Sequence, residues 1–376
     1  MADGQSVNPS SGHGARPPSA PPTLPDRGRR FLLIHNPIAG GPTAGARRGG
    51  RLARAVATLR ELGHRVDLRE TTHRGHGEEI AATADPARVD VVIAAGGDGT
   101  INEVANGLAR GAVRRGGPVL PLGIVPMGTA NVLAHELGLP LDGRAMGRLL
   151  AGAQPQAIHP GRIRPDTTSD AEPGVEPDSG GARAGDVPRL FVQMLGAGLD
   201  ARVVARINPA VKRRLGKGAY VLESLAQIAA GPRVAYRVTI DRPDGGREVH
   251  EVASAVLAKG RFYGGTFILA PRARLSAAHL QVCLFQHGGR GMALAYTAGM
   301  VLGLLDRMPG YRVVPALRAR VEPLAAPTSF TGPADASRTG SSRGEPVQGD
   351  GDVLGHVPFT ADLAPITLSV LAPPGL

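Results

Sequence analysis

A glycine-rich turn that carries a carboxylate, Gly96-Gly97-Asp98-Gly99-Thr100, is the strongest chemical signal in the sequence. It follows an apolar run at residues 89–95 and precedes a segment with helical spacing. Glycines let the backbone approach a ligand closely, and the free N–H groups at a helix start attract anions. The pattern predicts a phosphate-binding turn. Thr100 and Glu103 also fit a capping box that would fix the start of the helix.

Two further turns of the same kind follow predicted strands. Asn36-Pro37-Ile38-Ala39-Gly40 comes after the apolar run 31–34, and Gly128-Thr129-Ala130-Asn131 comes after the run 119–125. In an open α/β sheet, ligands bind in the crevice at the carboxyl ends of the strands. The three turns therefore predict one pocket for a polyphosphate.

The elements that must position these turns alternate between strand and helix over residues 30–155. Continuous apolar strands between helices predict a doubly wound parallel sheet, and thus an α/β nucleotide-binding domain. Residues 156–376 contain mostly strand-like segments and predict a mainly antiparallel β domain. Three stretches rich in Pro, Ser and Gly are expected to be disordered, namely a tail at 1–29 and insertions at about 165–188 and 326–347.

The composition narrows the class of partner. The net charge of +11 indicates attraction to polyanions, but only 3% of residues are aromatic and no nucleic-acid-binding motif is found, so no nucleic acid is expected. No apolar run reaches the roughly 18 residues that span a bilayer. The lone Cys283 fits a reducing compartment. We expect a cytoplasmic protein, with transient contact at the inner face of the membrane as a further expectation.

The three turns together resemble the diacylglycerol-kinase catalytic-domain superfamily, which includes bacterial lipid kinases, sphingosine kinases and ceramide kinases. The resemblance continues in Gly196-Ala197-Gly198-Leu199-Asp200-Ala201, Tyr263-Gly264-Gly265 and Asp350-Gly351-Asp352. It implies a C-terminal β-sandwich domain, ATP bound in the cleft between the domains, and transfer of its γ-phosphoryl group to the hydroxyl of a membrane lipid such as diacylglycerol.

The resemblance also implies roles for single residues. Asp98 would act on phosphate through Mg²⁺, Asp352 would be the general base, and Asp200 would orient the lipid hydroxyl or head group. Phosphoryl transfer needs positioning, charge neutralisation and a proton acceptor, which suits this set. The residues expected to line the nucleotide are Asn36, Pro37, Gly40, Thr71, Gly97, Asp98, Gly99, Thr100, Ile101, Asn102, Glu103, Gly128 and Thr129.

Two departures from the family pattern stand out. Asp352 replaces a glutamate. The second departure lies in the segment where relatives carry Asp-Gly and hold a structural Mg²⁺, because residues 271–280 here contain no carboxylate. We therefore expect the structural metal site to be absent.

Other functions remain open at this stage. A kinase of a soluble substrate, such as an NAD kinase, shares the Gly-Gly-Asp-Gly-Thr turn, and the two departures leave room for a nucleotide-binding regulator without turnover. Gly196-x-Gly198-x-x-Ala201 fits a dinucleotide fingerprint but lacks the acidic residue at the end of a second strand.

The basic stretch at residues 202–217 could dock on an anionic bilayer or form a solvated basic face. The apolar run 292–305 is expected to be a core helix.

Overall fold

The computed structural model describes residues 22–25, 28–39, 45–165, 188–197, 236–324 and 345–375. Within these residues the helices are α1 (Gly45–Glu61), α2 (His76–Ala82), α3 (Asp98–Arg115), α4 (Val132–Glu136), α5 (Gly143–Gly152) and α6 (Arg290–Val301). No helix among the described residues is long and apolar enough to cross a membrane.

The first domain is built on one six-stranded sheet. Its strands are β1 (Arg30–His35), β2 (Arg65–Glu70), β3 (Val91–Gly96), β4 (Leu122–Pro126), β5 (Pro155–Ile158) and β20 (Leu368–Leu371). Their order is β2-β1-β3-β4-β20-β5, and only β5 runs antiparallel to its neighbour. The central strands β1, β3 and β4 are buried because α-helices cover the sheet, which confirms the predicted parallel α/β domain.

Within the described residues, two antiparallel six-stranded sheets form the second domain, which confirms the predicted β-sandwich. One sheet has the order β10-β9-β16-β19-β6-β7 and the other β15-β14-β11-β8-β17-β18. The first contains β6 (Gly161–Pro165), β7 (Arg189–Phe191), β9 (Tyr236–Asp241), β10 (Arg247–Val252), β16 (Arg318–Pro323) and β19 (Phe359–Leu363). The second contains β8 (Met194–Ala197), β11 (Ser254–Ala258), β14 (Leu280–Phe285), β15 (Tyr311–Ala316), β17 (Pro346–Gly349) and β18 (Asp352–His356). A hairpin of β12 (Phe262–Tyr263) and β13 (Phe267–Ile268) lies beside them.

Two segments that the sequence presents as single long strands are each divided between the sheets. Residues 248–258 break at Ala253 and residues 312–321 break at Leu317, so that β10 and β16 lie in one sheet and β11 and β15 in the other. Both halves of each segment contribute to the core between the sheets. A corner of a sandwich keeps the apolar alternation of a strand, which is why the pattern hides the break.

The last strand returns to the first domain. Strand β20 inserts between β4 and β5, with Val370 opposite Leu122 of β4 and Leu368 opposite Ile158 of β5. The expected division at 155/156 therefore cuts through β5, and residues 368–371 belong to the first sheet. The sequence pattern of a short, fully buried apolar strand does not indicate which sheet the strand joins.

The end of the expected disordered tail is packed against the first domain. Leu24 is buried in the core, and its N–H donates to Gln154 Oε1 at 3.0 Å. Arg29 is fully buried and donates to the carbonyl oxygens of Leu150 and Ala153 at 3.0 and 2.9 Å. These contacts anchor the chain at the end of α5. The two expected insertions lie almost wholly outside the described residues.

Candidate functional site

The three glycine-containing turns meet at the carboxyl ends of β1, β3 and β4. Asn36 N donates to Ala95 O at 3.0 Å, and Met127 N donates to Gly96 O at 2.8 Å. A β-carbon on Gly128 would lie 2.6 Å from the Gly97 α-carbon, so the two backbones approach as only glycines allow. The predicted convergence of the turns is therefore present in the structure.

Asn36 and Thr100 join the first turn to the second. Asn36 Nδ2 donates to Thr100 Oγ1 at 3.1 Å, while Asn36 Oδ1 accepts from Ile38 N at 3.1 Å. The hydrogen bonds fix the Asn-Pro turn beside the start of α3, leaving Pro37 exposed. Thr71 lies at the neighbouring strand end, where its N–H donates to His35 O at 2.8 Å. Thr129 is half-buried on the third turn.

Asp98, the first residue of α3, points toward the third turn. Its Oδ1 accepts from Leu133 N at 3.2 Å, at the start of α4. Burial raises the pKa of Asp98, and hydrogen bonds from backbone N–H groups at the start of α4 oppose that rise. The carboxylate thus holds two turns together in addition to any action on phosphate.

Asp352 comes from the second domain yet lies at the turn of the first. A β-carbon on Gly99 would stand 2.8 Å from Asp352 Oδ2. Asp352 Oδ1 accepts from Arg74 Nη2 at 3.0 Å, and the Asp352 side chain is 32% exposed. The fold therefore brings the expected base, from the far end of the chain, to the expected phosphate-binding turn.

A buried carboxylate two residues earlier positions Asp352. Asp350 accepts from the N–H groups of Val192, Gln193 and Met194 at 2.6 to 3.0 Å, and from Asn102 Nδ2 at 2.8 Å. Burial raises the pKa of Asp350, and these hydrogen bonds oppose the rise. Since Asn102 lies on α3, Asp350 ties the second domain to the helix that begins at the expected phosphate-binding turn.

The turn between β17 and β18 has an unusual backbone. Asp350 and Gly351 have φ of 52° and 90°, and Asp352 follows at once as the first residue of β18. Left-handed backbone is rare outside Gly, Asn and Asp. The Asp-Gly pair therefore turns the chain sharply and directs Asp352 toward α3.

Glu103 does not form the expected capping box. Its two carboxylate oxygens accept from Gly75 N at 2.8 Å and Gly77 N at 3.2 Å, and the start of α3 carries no side-chain cap. The helix begins three residues earlier than the Thr100 capping box predicts, with Gly97 as its N-cap, which puts Glu103 on the flank of the helix. There it fixes the loop that carries Arg74.

Four other expected site residues fall into two groups. Ile101 is buried in the core and Asn102 is engaged with Asp350, so neither side chain faces the turn. Gly40 and Asp200 lie outside the described residues. Arg74 is the residue that sequence reasoning missed, because nothing distinguishes it from the other arginines of an arginine-rich chain.

The donor groups present fit a Mg²⁺ ion that arrives with a nucleotide. Such an ion keeps several waters and needs only one or two carboxylates besides the phosphates. Asp98 and Asp352 both border the turn at Gly99. Among the described residues, no group of three or more His, Cys, Asp or Glu side chains could hold a metal alone.

Two family models match the chain. The diacylglycerol kinase catalytic domain matches residues 30–163, and the YegS C-terminal NAD kinase beta sandwich-like domain matches residues 193–372. A relative from Pseudomonas aeruginosa (strain UCBPP-PA14), named probable lipid kinase YegS-like, is 31% identical over 259 residues, covering 69% of this chain and 72% of that protein. A protein of the same name from Chromohalobacter salexigens is 31% identical over 62% of this chain and 66% of that protein.

Solved structures agree on the fold. A diacylglycerol kinase structure from Bacillus anthracis str. Sterne superposes with a TM-score of 0.61 at 19% identity, covering 92% of this chain and 98% of that chain. A second crystal structure from the same organism gives a TM-score of 0.65 over 93% of this chain and 97% of that chain. With both domain models matched in order and a relative aligned over more than two thirds of its length, the chain belongs to the YegS-like lipid kinase family of diacylglycerol-kinase fold.

Proposed function

We propose that the protein is an ATP-dependent lipid kinase that transfers the γ-phosphoryl group to a hydroxyl of diacylglycerol or a related lipid. The observation that carries the proposal is the contact of Asp352 with Gly99, which puts a carboxylate of the second domain beside the N-terminus of α3. Phosphate on one side of that contact and a lipid hydroxyl on the other would complete a phosphoryl-transfer site.

The nucleotide side of the site is built from backbone. The paired glycines Gly97 and Gly128 let the second and third turns approach each other closely, and the N–H groups at the start of α3 attract negative charge. Mg²⁺ bound with ATP would supply further charge neutralisation, with Asp98 as its protein carboxylate. The exposed Arg74 could reach a phosphate oxygen while keeping Asp352 in place.

Asp352 is the proposed general base. It is partly exposed, so a lipid hydroxyl can approach it, and it is oriented from two sides by Arg74 and by the Asp350 turn. Asp200 remains a proposed contact for the lipid hydroxyl or head group.

An apolar surface next to the turns suits a lipid better than a soluble substrate. Ala130 and Val132, on the third turn and α4, pack in one cluster with Phe262, Tyr263 and methionines of α6. The outer face of α6 and the turn after it leave large apolar side chains in solvent, namely Leu294, Val301, Leu302 and Leu304. The run expected to be a core helix thus has one buried face and one exposed face.

We propose that this outer face of α6 contacts the bilayer. Arg307, in the short 3-10 helix that follows, is exposed and would meet anionic head groups at the edge of the apolar patch. Sedimentation with phosphatidylglycerol-containing vesicles tests this. Leu302→Ser combined with Leu304→Ser is expected to lower binding several-fold, whereas Val249→Ser, an exposed apolar residue of β10, is expected to leave it unchanged. Equal binding by all three proteins would exclude this surface.

Phosphate transfer itself is tested with labelled ATP and a panel of diacylglycerol, monoacylglycerol, sphingoid base, ceramide and phosphatidylglycerol, followed by lipid extraction. Label in the lipid phase that depends on Mg²⁺ and is lost in Asp352→Asn supports the proposal. Label transferred to NAD instead would identify a kinase of a soluble substrate. ATP binding with no transfer to any acceptor would identify a regulator.

A further inference from the structure

Lys259 is a buried lysine with no role in the site described above. It is one of three lysines in the chain and directly follows β11, and its side chain is almost wholly buried. Its Nζ donates to Ala277 O at 2.6 Å and to His279 O at 3.2 Å. A buried ammonium group is costly unless polar atoms surround it, and here two backbone carbonyl oxygens turn toward it.

The segment that Lys259 binds lies at the crossing between the domains. Residues 271–279 contain no helix or strand, yet Leu275 packs in the core of the first domain. Leu275 O accepts from His159 N at 2.9 Å. His159 follows β5 of the first sheet and precedes β6 of the second. This segment, which we call the crossing loop, therefore fixes the chain where it passes from one domain to the other.

A metal ion does not fit the crossing loop. The carboxylate expected from the family resemblance is replaced by Ala277, and the described residues hold no cluster of metal-ligating side chains there. Backbone carbonyl oxygens are ordinary ligands of Mg²⁺ and Ca²⁺. In this chain two of them accept hydrogen bonds from Lys259 instead.

We propose that the Lys259 ammonium group takes the place of a structural divalent cation and holds the crossing loop without metal. A lysine suits this role because its ammonium is a compact charge with three freely rotating donors. Burial lowers the pKa of Lys259 to about 8, so the group is still largely protonated at neutral pH. Burial lowers the pKa of His159 and of His279, the two histidines of this region, and the charge of Lys259 lowers both further.

Removal of the amino group tests the first half of the proposal. Lys259→Met keeps most of the unbranched apolar side chain but leaves the carbonyls of Ala277 and His279 without their donor. We expect Tm to fall by roughly 5 °C, and amide hydrogen exchange to accelerate in peptides that contain His159 and the crossing loop. Arg272→Met, at an exposed position of the same loop, is the control and should change neither. An unchanged or higher Tm in Lys259→Met, with unchanged exchange, would overturn the proposal.

Restoring a metal site tests the second half. Wild-type Tm, measured without nucleotide, should be the same in EDTA and in millimolar Mg²⁺ or Ca²⁺. Lys259→Asn combined with Ala277→Asp removes the ammonium and supplies a carboxylate, so its Tm should rise on addition of either ion. A cation-induced rise in the wild type, or a folded double variant that ignores both ions, would contradict the proposal. Neither measurement uses catalysis, so both stand apart from the proposed lipid kinase activity.

Discussion

The carboxylate of Asp352 lies against Gly99, so close that a β-carbon on Gly99 would stand 2.8 Å from Asp352 Oδ2. More than 250 residues separate the two along the chain, since Asp352 follows β17 of the second domain and Gly99 lies in the first turn of α3. The contact between the domains therefore holds the glycine-rich turn and the proposed base together. A substitution of either residue is expected to shift the position of the other.

Gly99→Ala should lower kcat without unfolding the protein. The added methyl group would press on Asp352 Oδ2, and the partly exposed aspartate can move aside. A displacement of about 1 Å can cost about 10²-fold in rate, so we expect kcat to fall about 10- to 100-fold. Gly117→Ala, at a position with open space around it, is the matched control. Normal kcat in Gly99→Ala would mean that Asp352 does not act from this position.

Asp352→Asn should lower kcat by about 10²- to 10⁴-fold, the usual contribution of a general base, and leave ATP affinity almost unchanged. Asp352→Glu should retain activity, because it restores the residue of the relatives. Steady-state kinetics together with an ATP-binding titration separates the two effects. Loss of ATP binding would assign Asp352 to the nucleotide site, and near-normal kcat in Asp352→Asn would leave Asp200 as the next candidate base.

Arg74→Gln should reduce activity about 10-fold or more while changing stability little. The Arg74 side chain is 72% exposed, and an exposed ion pair contributes only about 0–1 kcal/mol to folding. Its loss would free Asp352 on one side and remove a positive charge near the phosphates. Kinetics and a melting curve measure both effects. Arg88→Gln, at another exposed arginine paired with an aspartate, is the control, and a similar fall in kcat in both variants would argue against a specific role for Arg74.

Stability should fall on acidification because His64 is held neutral. Burial, with the charge of Arg29, lowers the pKa of His64, and His64 Nδ1 accepts from Arg29 N at 3.1 Å. Below about pH 6.5, His64 binds a proton in the unfolded chain but stays neutral in the folded protein. The free energy of unfolding therefore drops by up to about 1.4 kcal/mol per pH unit for this group.

His64→Asn keeps an acceptor near the same place but does not titrate. Denaturant unfolding at pH 7.5 and 5.5 should therefore show a smaller pH dependence in the variant than in the wild type. The same pH dependence in both proteins would mean that other groups dominate the acid response.

The three glycine-containing turns could be predicted because their signals are local. A glycine-rich turn between an apolar strand and a helix is visible within about ten residues, and the structure brings all three such turns together. The partner of Glu103 could not be predicted, since Gly75 and Gly77 reach it only through the packing of α2 beside α3. The contact of Arg74 with Asp352 could not be predicted for the same reason, because it depends on how the two domains pack.

Helix α5 has a start signal in its sequence. Asp142 caps it by accepting from Ala145 N at 2.9 Å, and Met146 and Leu150 follow at helical spacing. Strand β20 carries no such signal, because the identity of its neighbours depends on a return of the chain across both domains.

That return has a consequence for how the protein is made. A chain released after residue 163 would carry the whole matched catalytic domain of the family, yet it would lack the strand between β4 and β5. The bare edge of β4 would be free to pair with other chains. The first sheet is therefore complete only after residue 371 has left the ribosome, so translation must deliver both domains before the first one can close.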